Sequence, residues 1–291
     1  MRYQGPIYRP PSESDSLLIQ ATVGCPHNKC TFCMVYKNGP KFKVRPKSEI
    51  IEDMYAAREQ FGPSVRTMFL PAGNSIAVPN ADLVHICQAA REIFPFLERI
   101  TVYGSARYIL DKGQDDLTHL AESGLSRIHV GLESGNDQVL RQIKKGASRQ
   151  EQIQAGKMLS KAGIENSTYV MLGIGGKELT REHSQDTASA VNAIRPNFVR
   201  VRTFLPKIDT PLLRKIEKSE FQMVTPHQAL LELKTLITNI ECETRLTSDH
   251  YTNYINAEGV LPRDRDRLLK LVDRALSWSE DSFRPVYVGR Q

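Results

Sequence analysis

Apolar, strand-like runs alternate with helical patterns roughly every thirty residues along this chain, and that rhythm constrains the fold more than any other feature. It is the spacing of βα units, and successive right-handed βα units argue for a parallel sheet. Six runs stand out, at residues 16–23, 65–70, 99–103, 127–132, 168–172 and 198–204. After the first run a helix is expected from Ser48 as N-cap, with Ile50, Ile51, Met54, Ala57 and Phe61 on one face and Gly62-Pro63 as its stop. Another is expected over about 80–94. The sixth run leads into a long loop, 205–226, and a charged helix over 264–278 precedes the tail 279–291. Such units can form an open doubly wound sheet or an incomplete barrel, and functional groups gather at the C-terminal strand ends of either.

Five successive strand ends carry polar or glycine-rich loops. Cys25, Cys30 and Cys33 follow the first run, Gly73-Asn74 the second and Gly104-Ser105 the third. Glu133-Ser134-Gly135 follows the fourth and Gly173-Ile174-Gly175-Gly176 the fifth. Together they describe one mouth, suited to a cofactor. No fourth cysteine lies near the first three. Three thiolates fill the protein positions on three irons of a [4Fe–4S] cube and leave the fourth iron open to a ligand that is not protein. Structural zinc is the competing reading, but such a site is closed by four ligands, and His27 would have to be the fourth. Cys87 shares an apolar helix face with Leu83, Ile86 and Ala90, and Cys242 has no neighbouring ligand pattern, so both are read as inert.

Composition narrows the class. Five cysteines in 291 residues, three of them clustered, do not make a secreted disulfide scaffold. No run of about eighteen apolar residues occurs, and the N-terminus lacks a signal-like apolar stretch, so a soluble cytoplasmic protein is expected. The formal charge of +6 is spread along the chain rather than gathered into one arm, and neither nucleic acid nor membrane is an expected partner.

With these residues in view, the chain resembles a radical S-adenosylmethionine (SAM) enzyme over roughly residues 16–204, with a core like that of the oxygen-independent coproporphyrinogen oxidase and Elongator members. That superfamily carries Cys-x3-Cys-x2-Cys after the first strand of a six-stranded partial barrel, whereas four residues separate Cys25 from Cys30 here. The resemblance implies a partial (β/α)6 TIM-like barrel over 1–245, lead-in segment included, and a C-terminal extension, 246–291, packing on it. It implies that Cys25, Cys30 and Cys33 hold one [4Fe–4S] cluster and that Phe32 packs beside the adenine of SAM. Gly73 and Asn74 resemble the Gly-Gly-Glu segment that receives the methionine amino group through backbone oxygens, with the acid replaced by Asn74. Glu133 resembles the fourth-strand acid that meets the nucleoside. Lys145, twelve residues on, matches a basic position that pairs with the methionine carboxylate in coproporphyrinogen oxidase-like members. Tyr169 and Ser105 fall where polar side chains approach the ribose or the amino group. Cysteines for auxiliary clusters and a cobalamin-type Asp-x-His-x-x-Gly run are absent, which fits a single-cluster, stand-alone enzyme. In the superfamily, one electron from the reduced cluster breaks the C5′–S bond of SAM, and the 5′-deoxyadenosyl radical abstracts hydrogen from substrate. An acidic flavodoxin or ferredoxin is the implied electron donor.

Strand alternation adds candidates at the substrate side. If Glu133 faces the interior, Gly131 and His129 share its face, and His129 is read as a hydrogen-bonded core residue. Arg200 and Arg202 share a face of the sixth run, and their charge calls for an anion: Glu133, the SAM carboxylate, or a carboxylate or phosphate of a small-molecule or peptide substrate. The competing reading lets one arginine reach the rim. Residues 247–254 form a polar-aromatic cluster after Thr244-Arg245-Leu246, a candidate extra strand. There His250 is a candidate to donate or accept a proton and Tyr251 or Tyr254 to supply a hydrogen atom or stack on substrate, with Asp249 orienting His250, against the plainer reading of a capped turn. The function from another class is a non-catalytic zinc- or cluster-bearing binding module for RNA, although clustered Lys/Arg and aromatic signatures are lacking.

Overall fold

The structure, a computed structural model, describes residues 1–5, 7–206 and 210–283; the end of the expected tail, 284–291, lies outside the described residues. Where the pattern predicts one first run, the chain forms two short strands, β1 (Leu17–Leu18) and β2 (Thr22–Val23). The break has a local cause. Ile19 still bonds the Phe69 carbonyl at 3.1 Å, but the Arg45 guanidinium takes the Gln20 carbonyl (2.7 Å) and the Arg45 amide takes that of Ala21 (2.9 Å). Beyond that point β2 pairs antiparallel with β3 (Lys43–Val44), whereas β1 pairs parallel with β4 (Thr67–Leu70).

Helix α1 (Lys47–Phe61) starts earlier than Ser48 predicts, because Ile50 already donates to the Pro46 carbonyl and no side chain caps the first turn. Gly62, at φ 73°, ends it as expected. Phe61 is exposed; Asp53 joins Ile50, Met54 and Ala57 on the buried face, paired at 2.8 Å with the buried Arg45.

The alternation then runs as predicted. It comprises α2 (Asn80–Ile93), β5 (Arg99–Gly104), α3 (Ala106–Glu122), β6 (Leu125–Glu133), α4 (Asp137–Gln142) and α5 (Arg149–Ala162). β7 (Glu165–Leu172), α6 (Thr180–Ile194) and β8 (Phe198–Thr203) follow. The long loop after β8 contains a helix the pattern missed, α7 (Pro211–Glu217), N-capped by the Thr210 hydroxyl. α8 (Pro226–Asn239) opens with a Thr225–Gln228 capping box. The candidate extra strand is β9 (Thr244–Thr247), parallel to β8; β10 (Glu258–Leu261), antiparallel to β9, is an addition, and α9 (Arg265–Leu276) follows. Among the described residues these strands give an eight-stranded sheet in the order β1-β4-β5-β6-β7-β8-β9-β10 and the small β2-β3 pair. The β4–β5, β5–β6 and β7–β8 pairs are parallel, so the fold is mixed α/β with a mostly parallel sheet.

The chain divides into two compact units. The first comprises Met1–Asn28, Val35–Val130 and Lys157–Asn166. Its core joins Met68, Phe69 and Leu70 of β4, Ile86 and Cys87 of α2, and Ile100 and Val102 of β5. Burial pushes the Cys87 thiol up to about 12, as suits an inert core residue. His129 is the buried, hydrogen-bonded histidine expected: Nε2 meets the fully buried Glu13 carboxylate at 3.0 Å. Ser16 donates to that carboxylate at 2.6 Å, and Arg99 and Arg127 stand 3.4 and 3.8 Å from it.

The second unit comprises Lys29–Met34, Gly131–Gly156 and Ser167–Gln291. Val199 and Val201 of β8 pack with Val191 of α6 and Leu233 and Leu236 of α8, so Arg200 and Arg202 take the opposite face of that strand. The boundary expected after residue 245 falls within β9.

Candidate cofactor site at the strand ends

In the first unit the turn after β4 is built around Cys25. The Gly73 amide donates to the Gly24 carbonyl at 3.0 Å. A Cβ on Gly73 would stand 2.6 Å from the Cys25 Cβ and 2.9 Å from the Tyr36 ring, so only glycine lets this turn close on the cysteine. Ala72 (φ 84°) and Asn74 (φ 59°) flank it in left-handed conformations, strain of the kind that collects at functional loops. The Asn74 amide donates to the Cys25 Sγ at 3.5 Å, as does the backbone amide of Asn28 at the same distance. Ser75, which the pattern did not single out, links neighbouring strand ends: its hydroxyl donates to the Leu70 carbonyl (2.7 Å) and accepts from the Tyr103 amide (3.0 Å). Ser105 occupies the N-cap of α3, yet its hydroxyl caps nothing there.

In the second unit the segment carrying Cys30, Phe32 and Cys33 is pinned at Thr31, whose amide donates to the Ile143 carbonyl (2.9 Å) and whose carbonyl accepts from Leu212 (3.0 Å). Phe32 packs against the apolar cluster of Val139, Ile143, Met171, Phe204 and Leu212. Glu133, at the end of β6, has φ 62°, and its carboxylate pairs with Lys145 at 3.1 Å, both side chains being almost buried. A Cβ on Gly131 would lie 2.5 Å from the Glu133 Oε1 and 2.6 Å from the Lys145 Nζ; the absent side chain makes room for the pair. The resemblance has Glu133 and Lys145 meet separate parts of SAM; in the structure the two pair with each other.

On β7 and β8, Tyr169 stands beside Arg200 in register, and Met171 beside Arg202. The two arginines differ. Arg200 donates to the Ser167 hydroxyl at 2.8 Å and reaches the Thr247 hydroxyl at 3.4 Å, with its guanidinium 5.3 Å from the Phe198 ring centre. Arg202 has a buried Nε with no hydrogen-bond partner. The shared-face expectation holds, but Arg200 finds neutral partners within the protein.

The cluster after β9 is a tightly bonded turn. Asn253 donates to the Val201 and Ser248 carbonyls at 2.8 and 2.9 Å and accepts from Thr203 at 3.0 Å. His250 Nδ1 is 2.8 Å from the Thr252 hydroxyl. The Tyr251 ring stacks on His250 at 4.5 Å and is 63% exposed. These bonds favour the capped turn.

A buried network escaped the sequence reading. Ser134 Oγ is 2.8 Å from His183 Nδ1, and His183 Nε2 is 3.7 Å from Glu232. Glu232 accepts from the Gly173 amide (2.7 Å) and the Thr180 hydroxyl (2.5 Å), fixing the glycine loop after β7. Burial pushes the His183 imidazole down to about 4 and the Glu232 carboxyl up to about 7. Of its members, only Ser134 and the glycine loop were visible in advance.

Cys25 in the first unit and Cys30 and Cys33 in the second are partly exposed and outside any disulfide, which is the donor chemistry of an iron–sulfur cluster, and the Gly73 turn leaves the Cys25 sulfur room. No group of three or more His, Cys, Asp or Glu side chains is already drawn together at ion-holding geometry among the described residues. The match is therefore one of donor chemistry.

Residues 19–188 match the family model of the Radical SAM superfamily. The chain belongs to that superfamily. It is a radical SAM enzyme, and its cofactors are a [4Fe–4S] cluster and SAM. Nothing supports the alternative of a non-catalytic binding module. The tRNA-2-methylthio-N(6)-dimethylallyladenosine synthase of Tropheryma whipplei (strain Twist) is 26% identical over 211 residues, 67% of this chain and 42% of that protein. Among solved structures, a methylornithine synthase gives a TM-score of 0.53 at 20% identity, covering 90% of this chain and 80% of that one. Coproporphyrinogen III oxidase from Escherichia coli, described as a radical SAM enzyme, gives 0.57 at 18% identity, covering 77% and 51%. The chain spans about half or less of the length of the curated relatives it matches, 42% and 51%. The structural likenesses establish the fold, and the expected partial (β/α)6 TIM-like barrel class stands. No helix among the described residues is long and apolar enough to cross a membrane.

Proposed function

We propose that this enzyme cleaves SAM reductively at a cluster held by Cys25, Cys30 and Cys33, and uses the product to abstract hydrogen from a substrate bearing an anionic group. When bound, the cluster and SAM supply a 5′-deoxyadenosyl radical. The protein's part is to bind, orient and exclude water. Backbone oxygens of the Gly73–Asn74 turn receive the methionine amino group, Lys145 its carboxylate, and Phe32 the adenine. Glu133 meets the nucleoside, with Tyr169 and Ser105 as further polar contacts. The observation that carries the cofactor reading is the closure of the Gly73 turn on Cys25, which leaves no space for a side chain.

Arg202 carries the substrate reading. Its buried Nε lacks a partner, whereas Arg200 on the same face is satisfied by Ser167 and Thr247. An unpaired charge in such a position favours a carboxylate or phosphate ligand. A reduced flavodoxin or ferredoxin serves as electron donor, in the cytoplasm.

The test is anaerobic reconstitution with iron and sulfide, followed by assay of 5′-deoxyadenosine from SAM with dithionite. Wild type should form it, and Cys30→Ala and Gly73→Ala should not. Absence of 5′-deoxyadenosine from a wild-type protein that holds its cluster contradicts the reading. A screen of carboxylate- and phosphate-bearing small molecules, peptides and tRNA then reads the substrate side: stimulation by an anionic compound should be lost in Arg202→Met.

A further inference from the structure

Cys25 differs from a bare thiol in having two N–H groups aimed at its sulfur, the Asn74 side-chain amide and the Asn28 backbone amide, each at 3.5 Å. The first donor depends on the turn after β4. Asn74 holds φ 59° and ψ 50°, a left-handed conformation that asparagine tolerates better than most residues. Gly73 lets the turn approach, since any Cβ there would lie 3.0 Å from the Cys25 sulfur as well as 2.6 Å from its Cβ. A carboxylate side chain at position 74 would offer no donor and would place negative charge beside the thiolate.

We propose that Asn74 is a positioning residue for Cys25 and, through its amide N–H, raises the reduction potential of the cluster that Cys25 holds. The inference rests on the reading of Cys25, Cys30 and Cys33 as cluster ligands. Its physical basis is charge: a reduced cluster carries more negative charge on its sulfurs than an oxidised one, so a donor at a ligand sulfur favours reduction. The consequence is a cluster that accepts an electron from a milder donor than it would with an acid at position 74.

The test is redox titration of reconstituted protein, without SAM or substrate, followed by electron paramagnetic resonance. Asn74→Gly keeps access to the left-handed turn but removes the donor, and Asn74→Asp keeps the side-chain size while replacing the donor with a charge. Both should bind iron as wild type does. Midpoint potentials should fall in the order wild type, Asn74→Gly, Asn74→Asp, with about a tenfold shift in the one-electron equilibrium, about 59 mV, for the charged variant. Equal potentials in all three proteins would overturn the inference and leave the cluster assignment intact. Loss of the cluster from both variants with the fold preserved by circular dichroism would overturn it too, reducing Asn74 to a purely structural turn residue. A wild-type protein that holds no cluster would instead remove the reading beneath it.

Discussion

Glu13 in the first unit and Glu232 in the second are both buried glutamates, yet they lie on opposite sides of the ordinary carboxyl range. Burial raises both. For Glu13 that effect is outweighed by hydrogen bonds from His129 and Ser16 and by the charges of His129 and Arg99, which hold the carboxyl at about 2. For Glu232 burial prevails over bonds from Thr180 and Gly173, and the carboxyl rises to about 7. Burial alone therefore does not say whether a carboxyl stays charged; its partners decide. The first network is an anchor that stays ionised. The second holds the glycine loop after β7 with a group that changes charge near neutrality.

The largest expected effect separates the two networks. Glu13→Ala removes the buried carboxylate that His129 and Ser16 bond and should cost about 3–5 kcal/mol in urea unfolding. An equal loss in Glu232→Ala would break the comparison. Next is the pair of arginines on β8. Arg200→Met should cost about 1.5–3 kcal/mol through its lost hydrogen bonds, whereas Arg202→Met should leave the unfolding midpoint almost unchanged. A comparable loss in both would mean that Arg202 has a structural partner rather than a place for substrate.

The pH dependence sharpens the contrast further. Glu13, depressed in the folded state, contributes stability that is present above about pH 4.5 and lost as pH falls toward about 2. Glu232, raised in the folded state, contributes stability that is present below about 4.5 and lost as pH rises toward about 7. His183, depressed from 6.5 to about 4, loses its contribution as pH falls through that window. The last two oppose each other between about 4.5 and 6.5, so wild type should be nearly flat there. Glu232→Gln should unmask His183, giving stability that rises with pH by on the order of 1 kcal/mol per unit. A wild-type-like flat profile in that variant would show that the two groups do not titrate as their burial dictates.

Much of the site was legible because its signals are local. The Cys25 to Cys33 run and the glycine turns lie within short stretches of chain, whereas the pairing of Glu133 with Lys145 comes from the structure alone. What escaped depends on distant partners. Glu13 meets His129, and Glu232 holds Gly173, across long sequence separations that no periodicity encodes. The first strand splits because Arg45 claims the Gln20 and Ala21 carbonyls, and the predicted Ser48 cap fails because Pro46 starts the turn first. The short α7 and β10 carry too few residues for a period to emerge. On β8, alternation located both arginines on one face, but only side-chain geometry distinguishes the satisfied Arg200 from Arg202.

The central claim is that Cys25, Cys30 and Cys33 jointly hold one cluster whose remaining iron accepts SAM. Iron and sulfide analysis of anaerobically reconstituted protein, paired with the electron paramagnetic resonance spectrum before and after SAM addition, tests it most directly. The account predicts about four irons and four sulfides per chain, a spectrum that changes with SAM, and loss of both in each single Cys→Ala variant. A sulfide-free protein holding one zinc, or a cluster that survives replacement of Cys25, would contradict it.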